Sequence, residues 1–161
     1  MHPTRNDLPE KSRSALAALL NARLADCVDL KLRAKHAHWN VKGPHFIALH
    51  ELFDGLAAAL EAHSDTIAER AVSLGGSAAG LAGDVVKGSA LPAWPASAHD
   101  GLEHVAGLSD ALAAFVRAVR KSIDESEALG DAVTADLFTE LGGDLDKQLW
   151  FLEAHLQGRS K

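Results

Sequence analysis

The stretch HWNVKGPHFIALHELFDGLAAALEAHSDTIAER, residues 38–70, decides how the rest of the chain is read. Beyond Pro44, which is tolerated in a first helical turn, Ile47, Leu49, Phe53, Leu56, Leu60 and Ile67 recur at helical spacing. The pattern runs to Leu74, where Gly75 and Gly76 stop it. On this predicted helix His50 and Asp54 form one i, i+4 pair, and Asp65 and Glu69 form another. At ~100° and ~1.5 Å per residue, all four fall in one sector of the helix. His50 and Asp65 nevertheless lie about 22 Å apart along the axis. One small ligand cannot touch both pairs within one chain.

A two-fold axis removes the difficulty. In an isologous contact residue i faces j and j faces i. The midpoint between His50 and Glu69 coincides with that between Asp54 and Asp65, and falls between Ala59 and Leu60. Two antiparallel copies centred there place His50 opposite Glu69 and Asp54 opposite Asp65. The sequence around the centre, GLAAALEA, is rich in small residues that let two helices approach closely. Acidic i, i+4 pairs also suit an ordinary solvated face, and spacing alone does not separate the two readings. At a dimer contact, however, clustered carboxylates repel and resist desolvation unless a cation joins them.

His38 extends the cluster. It ends the preceding helix, predicted from about Ser12 to Ala37, and a hairpin brings it beside His50. The candidate site is therefore His38, His50 and Asp54 from one subunit with Asp65 and Glu69 from its mate. Imidazole with carboxylate suits Fe(II), Mn(II), Co(II) or Zn(II), and redox chemistry would require iron or manganese.

Working outward, Gly75 to Pro95 reads as a long connection with one short helix around Gly83 to Lys87. Ser97, with Asp100 three residues on, resembles a capping box before a third long helix through Leu102, Val116 and Ile123. After Gly130 a fourth carries Leu137, Leu141, Leu145, Leu149, Leu152 and Leu156. These stripes predict an all-α bundle of four helices, with the connection crossing from one end to the other. The 161 residues predict one domain over 1–161, with 1–11 as a flexible tail. A single cysteine, Cys27, excludes an intrachain disulfide and fits a reducing compartment, and it reads as a buried thiol. No apolar run is long enough for a membrane span, and MHPTRNDLPEKSRS has no secretory core, so a cytoplasmic location is expected. The net charge of -6 gives no general pull toward nucleic acid.

HWNVKGPHFIALHELFD, HSDTIAERAVSLGG and DLDKQLWFLEAHL together resemble the Dps family, the DNA-protecting mini-ferritins of starved bacteria. The family's ligand motif falls on His38, His50, Asp54, Asp65 and Glu69. The resemblance implies a ferritin-like four-helix bundle assembled from two-fold dimers into a dodecamer. It also implies oxidation of Fe(II), preferably by hydrogen peroxide, at dinuclear or mononuclear sites shared across those dimers. Fe(III) oxide would then be stored inside the shell. Glu69, Asp65 and His38 would hold iron most directly. Trp39 resembles the tryptophan near the family's iron site, where it intercepts radicals or simply packs. No Glu-x-x-His motif is present, which disfavours an iron site within one bundle.

By the same resemblance, Glu127, Asp131 and Asp136 stand where acidic pores admit iron. The remaining histidines, His36, His45, His63, His99, His104 and His155, read as surface or hydrogen-bonded residues, and Asp144 and Asp146 as solvated or paired. DNA-binding members carry lysine-rich tails. Here Arg5, Lys11 and Arg13 are interleaved with Asp7 and Glu10, and Arg159 and Lys161 lie at the other end, so DNA contact and nucleoid association are left as the alternative function.

Overall fold

The computed structural model describes residues 1–95, 98 and 100–158. Those residues form five helices and no strand: α1 (Glu10–Asn40), α2 (Phe46–Ser73), α3 (Ala82–Gly88), α4 (Gly101–Ala128) and α5 (Ala132–Gln157). The four long ones make the bundle, as two hairpins, α1–α2 and α4–α5, packed side by side. Leu16, Leu20, Leu30, Phe53, Leu60, Phe115, Phe138 and Leu145 are among its fully buried side chains. Cys27 is buried among them, and burial pushes its thiol up to about 12, so it stays protonated and inert.

Several boundaries differ from the sequence reading, each for a local reason. Helix α1 starts directly after Pro9 and takes in Glu10 and Lys11, the last two residues assigned to the tail. The turn into α2 uses Gly43 at φ +104°, so the helix begins at Phe46 rather than Pro44. Ser97 lies outside the described residues. The cap of α4 is Asp100, whose side chain accepts hydrogen bonds from the Leu102 and Glu103 amides, while the Glu103 carboxylate accepts one from the Asp100 amide.

The connection between α2 and α4 runs along α1 and is pinned at successive turns. Asn21 donates to the Ser77 carbonyl and accepts from the Ala79 amide. Asp26 accepts from the Ala90 amide, Asp29 from the Ser89 hydroxyl, and Arg33 donates to the Pro92 carbonyl. Trp94 then packs on His36 and on His104, which is fully buried rather than at the surface. This strap carries the chain from one end of the bundle to the other, as the crossover requires.

The N-terminal segment folds back onto the end of α2. The His2 amide donates to the Gly75 carbonyl, and Arg13 donates to the Leu8 and Leu74 carbonyls. Gly75 sits at φ +87°, and a Cβ there would lie 2.7 Å from the His2 carbonyl oxygen. Gly75→Ala should therefore cost about 1–2 kcal/mol from the left-handed backbone alone. A lower urea midpoint at fixed protein concentration, with faster amide exchange at His2, checks this.

Candidate metal centre

His38 occupies the last turn of α1 and His50 the second turn of α2. The short turn between the helices brings their rings into a stack, with centroids 3.7 Å apart and planes 22° off parallel. His38 Nδ1 lies 2.8 Å from the His50 carbonyl oxygen, and His50 Nδ1 lies 2.9 Å from the His38 carbonyl oxygen. A carbonyl only accepts, so each Nδ1 carries a proton, and in the neutral imidazole it is Nε2 that offers the lone pair. Backbone bonds of this kind fix the tautomer and orientation that a metal-binding histidine needs. Phe46 packs against His50, with centroids 5.1 Å apart and planes tilted by 34°.

Asp54 stands one turn along α2, exposed on the same side. Its Oδ1 accepts a hydrogen bond from Lys35 Nζ at 2.7 Å. That ammonium holds the Asp54 carboxyl below the usual carboxylate range, with smaller contributions from His38 and His50. Trp39 is 68% exposed, with the Lys35 ammonium 5.9 Å from its ring centroid.

Asp65 and Glu69 are exposed further along α2. Among the described residues of one chain, no group of three or more His, Cys, Asp or Glu side chains is close enough to hold a metal. The structure thus brings His38 and His50 into contact, sets Asp54 one turn along on the same side, and leaves Asp65 and Glu69 apart.

The surface of α2 carries a further regularity. Leu49, Phe53, Leu56, Leu60, Ile67 and Ala71 face the core. Ile47, Asp54, Ala58, Glu61, Asp65, Glu69 and Val72 lie on the opposite, exposed side. Ile47 is 62% and Val72 53% exposed, large values for aliphatic side chains. Their midpoint coincides with that of His50 with Glu69 and of Asp54 with Asp65. A Cβ added at Gly55, near this centre, would meet nothing within 4 Å. The apolar ends, the polar pairs and the small centre share one point of symmetry.

The outlying candidates separate by burial. Asp131 is 3% exposed and caps α5, accepting from the Val133 and Thr134 amides. Its two oxygens bind Arg70 Nη2 at 2.9 and 2.8 Å, and the Thr134 hydroxyl bonds it as well. Burial works to raise its pKa, but the Thr134 hydroxyl and the Arg70 guanidinium outweigh burial and hold it below the usual range. Asp131 is therefore engaged inside the subunit by Arg70 and Thr134, whereas Glu127 and Asp136 are exposed. Arg13 likewise points inward, leaving Arg5 and Lys11 exposed at that terminus. His99, Arg159 and Lys161 lie outside the described residues. His63 pairs with Asp144 at 2.8 Å and Arg120 with Asp146 at 2.7 Å.

Sequence reasoning missed Lys35. Its signal was its position, one turn before His38 on α1. No helix among the described residues is long and apolar enough to cross a membrane.

Residues 17–160 match the ferritin-like domain family. The chain is 46% identical over 159 residues to the DNA protection during starvation protein of Agrobacterium fabrum, covering 99% of this chain and 98% of that protein. It resembles the solved Dps of Mycobacterium smegmatis with a TM-score of 0.91 and 35% identity, over 97% of this chain and 94% of that one. Against the Dps of Microbacterium arborescens, solved in a high-iron form, the TM-score is 0.86 and the identity 29%, over 96% and 98% of the two chains.

Proposed function

The chain belongs to the ferritin-like family, among the DNA protection during starvation proteins, and from this we propose that it is a ferroxidase and iron-storing mini-ferritin whose site is completed by a second copy. The observation that carries the proposal is the stacked pair His38–His50, with both Nδ1 atoms bonded to backbone, at the start of a helix, α2, whose exposed face repeats about one centre. In a two-fold dimer each end of the contact gathers two imidazoles and the carboxylates of Asp54, Asp65 and Glu69. Ile47 and Val72 of opposite copies meet outside each cluster and shield it from water. Mixed imidazole and carboxylate ligands suit Fe(II), the substrate, and the high-iron form of the Microbacterium arborescens relative supports this choice.

Two Fe(II) ions give one electron each to one hydrogen peroxide, whose O–O bond breaks. The Fe(III) formed is hydrolysed with release of protons and stored as oxide in a dodecameric shell. Glu127 and Asp136, exposed near the α4–α5 turn, are the residues proposed to draw Fe(II) toward the interior, because grouped carboxylates concentrate cations. Removing peroxide and Fe(II) together spares DNA from hydroxyl radicals.

This reading places protection in the chemistry rather than in contact with DNA. Arg13 is bonded within the subunit, and neutralising several phosphates needs clustered cations. The test mixes anaerobic Fe(II) with peroxide and purified protein. One peroxide should disappear for every two Fe(II), with Fe(III) retained by the shell and little hydroxyl radical trapped. A one-to-one stoichiometry with abundant radical would overturn the assignment. A gel shift at physiological salt separates the alternative: a nucleoid-compacting protein retards DNA, and this chain is expected not to.

A further inference from the structure

We propose that Trp94, on the strap between α3 and α4, is a positioning residue for the proposed iron site, bracing the last turn of α1 from the side opposite His38. The inference rests on the shared site described above and concerns what holds its imidazoles in register. At ~100° per residue, His36 and His38 project about 160° apart around α1. His38 stacks on His50 of α2, whereas His36 meets the strap. The His36 and Trp94 rings form a T-shaped contact, with centroids 5.8 Å apart and planes at 84°. The indole lies at 22° to the ring of His104, 6.1 Å between centroids, and His104 is fully buried in the first turn of α4. His36 and His104 are themselves 6.2 Å apart. Three rings thus join the end of α1 to α4, at separations where aromatic pairs attract. Arg33 fixes the approach of the indole by donating to the Pro92 carbonyl, two residues before it, at 2.6 Å.

The last turn of α1 is where such a brace matters. The final carbonyls of a helix lack partners within it, and here one of them serves the site. The His38 carbonyl accepts from His50 Nδ1, while His38 Nδ1 donates to the His50 carbonyl. The His36 carbonyl accepts from the Asn40 side chain. A shift of this turn therefore moves one imidazole and at the same time loosens the bond that orients the other. Val41, 2% exposed, anchors the chain just beyond the turn. Trp94 adds support on the flank opposite His38. Its action passes through His36 and the α1 backbone, and groups that orient a metal ligand are worth about 10–100-fold in affinity.

The experiment titrates full-length assembled protein with Co(II) without oxygen, following the visible ligand-field bands that report the groups around the metal. Trp94→Leu, which keeps apolar bulk but no ring, should bind Co(II) about tenfold more weakly, the low end of that range. Its bands should change, and the Val41 amide should exchange faster. Trp94→Phe, which keeps a flat ring, should restore most of the affinity and the bands. His36→Ala, at an exposed position, should weaken Co(II) as Trp94→Leu does, and it replaces that variant if Trp94→Leu does not assemble. Asn21→Ala frees the other end of the connection, at Ser77 and Ala79, and should leave Co(II) binding unchanged. Wild-type affinity in Trp94→Leu and His36→Ala, or an equal loss in Asn21→Ala, with every variant eluting as the same oligomer, would overturn the proposal. Glu69→Ala tests the underlying site separately. Loss of Co(II) in that variant sustains the shared site, whereas unchanged binding means that the site itself, and with it the role of Trp94, is wrongly placed.

Discussion

Two inactive variants should restore each other. His38→Ala removes one imidazole from one half of the proposed site, and Glu69→Ala removes a carboxylate from the other half. Each alone should slow Fe(II) oxidation on the order of a hundredfold or more, since even outer partners of metal ligands are worth 10–100-fold. In a mixed dimer the two lesions fall at the same end of the contact. The other end receives wild-type His38 from one copy and wild-type Glu69 from its mate. Random pairing of equal amounts makes half of the dimers mixed, so about one quarter of all sites should be intact. Co-expression with distinct tags, followed by rapid Fe(II) oxidation assays, would read this directly.

The reciprocal experiment uses the same arithmetic. When both changes sit on one chain, pairing it with wild type spoils both ends of every mixed dimer. Activity should then fall to about one quarter of an all-wild-type sample, rather than the half expected if each chain acts alone. No recovery in verified mixed dimers, together with simple dilution in the second case, would mean that His38 and Glu69 belong to no common pocket. The expectation follows from the separation along α2: Asp65 and Glu69 stand exposed and far from the histidines, and an exposed carboxylate pair must compete with water for every cation it holds.

What could be read in the sequence was what depends on periodicity. The core stripe of α2, and the sector shared by His50, Asp54, Asp65 and Glu69, follow from the helical repeat once Pro44 and Gly75 bound the segment. The approach of His38 to His50 follows from the shortness of the turn. Rotamer-level facts were not legible. The reciprocal imidazole–carbonyl bonds depend on the separation of two backbones, and Lys35 could equally have extended into solvent. Two capping signals competed at the start of α4, Ser97 with Asp100 and Asp100 with Glu103; the observed reciprocal bonds belong to the second pair. Arg5, Lys11 and Arg13 look alike in sequence, yet it is Arg13 that reaches the Leu74 carbonyl at the end of α2. Asp131 was ambiguous for a related reason. A carboxylate after a glycine at the head of a helix is both a natural cap and a plausible pore residue, and Arg70, which binds it inside the subunit, is 61 positions away.

That distinction carries the second large effect. Arg70→Leu should strand the Asp131 carboxylate, which is 3% exposed, without its cation. Breaking one partner of a buried ion pair typically costs about 3–5 kcal/mol, against total stabilities of about 5–15 kcal/mol. For a chain of this size the melting temperature should drop by roughly 6–20 °C. The pH dependence has a definite sign. Asp131 is held below its unfolded value, so its stabilising contribution is complete above about pH 4 and is lost as pH falls through the lower folded value. Without Arg70, burial prevails and raises the Asp131 pKa, so protonation relieves the variant. The gap between wild type and Arg70→Leu should therefore narrow on acidification, at equal protein concentration. Asp136→Asn should behave in the opposite way, leaving stability within about 0.5 kcal/mol, as expected for an exposed site, while slowing Fe(II) uptake into the shell. If Asp131→Asn instead slowed uptake and left the melting temperature unchanged, the division between cap and pore would be reversed, and the α2–α5 contact at Arg70 would not be the strut it is argued to be.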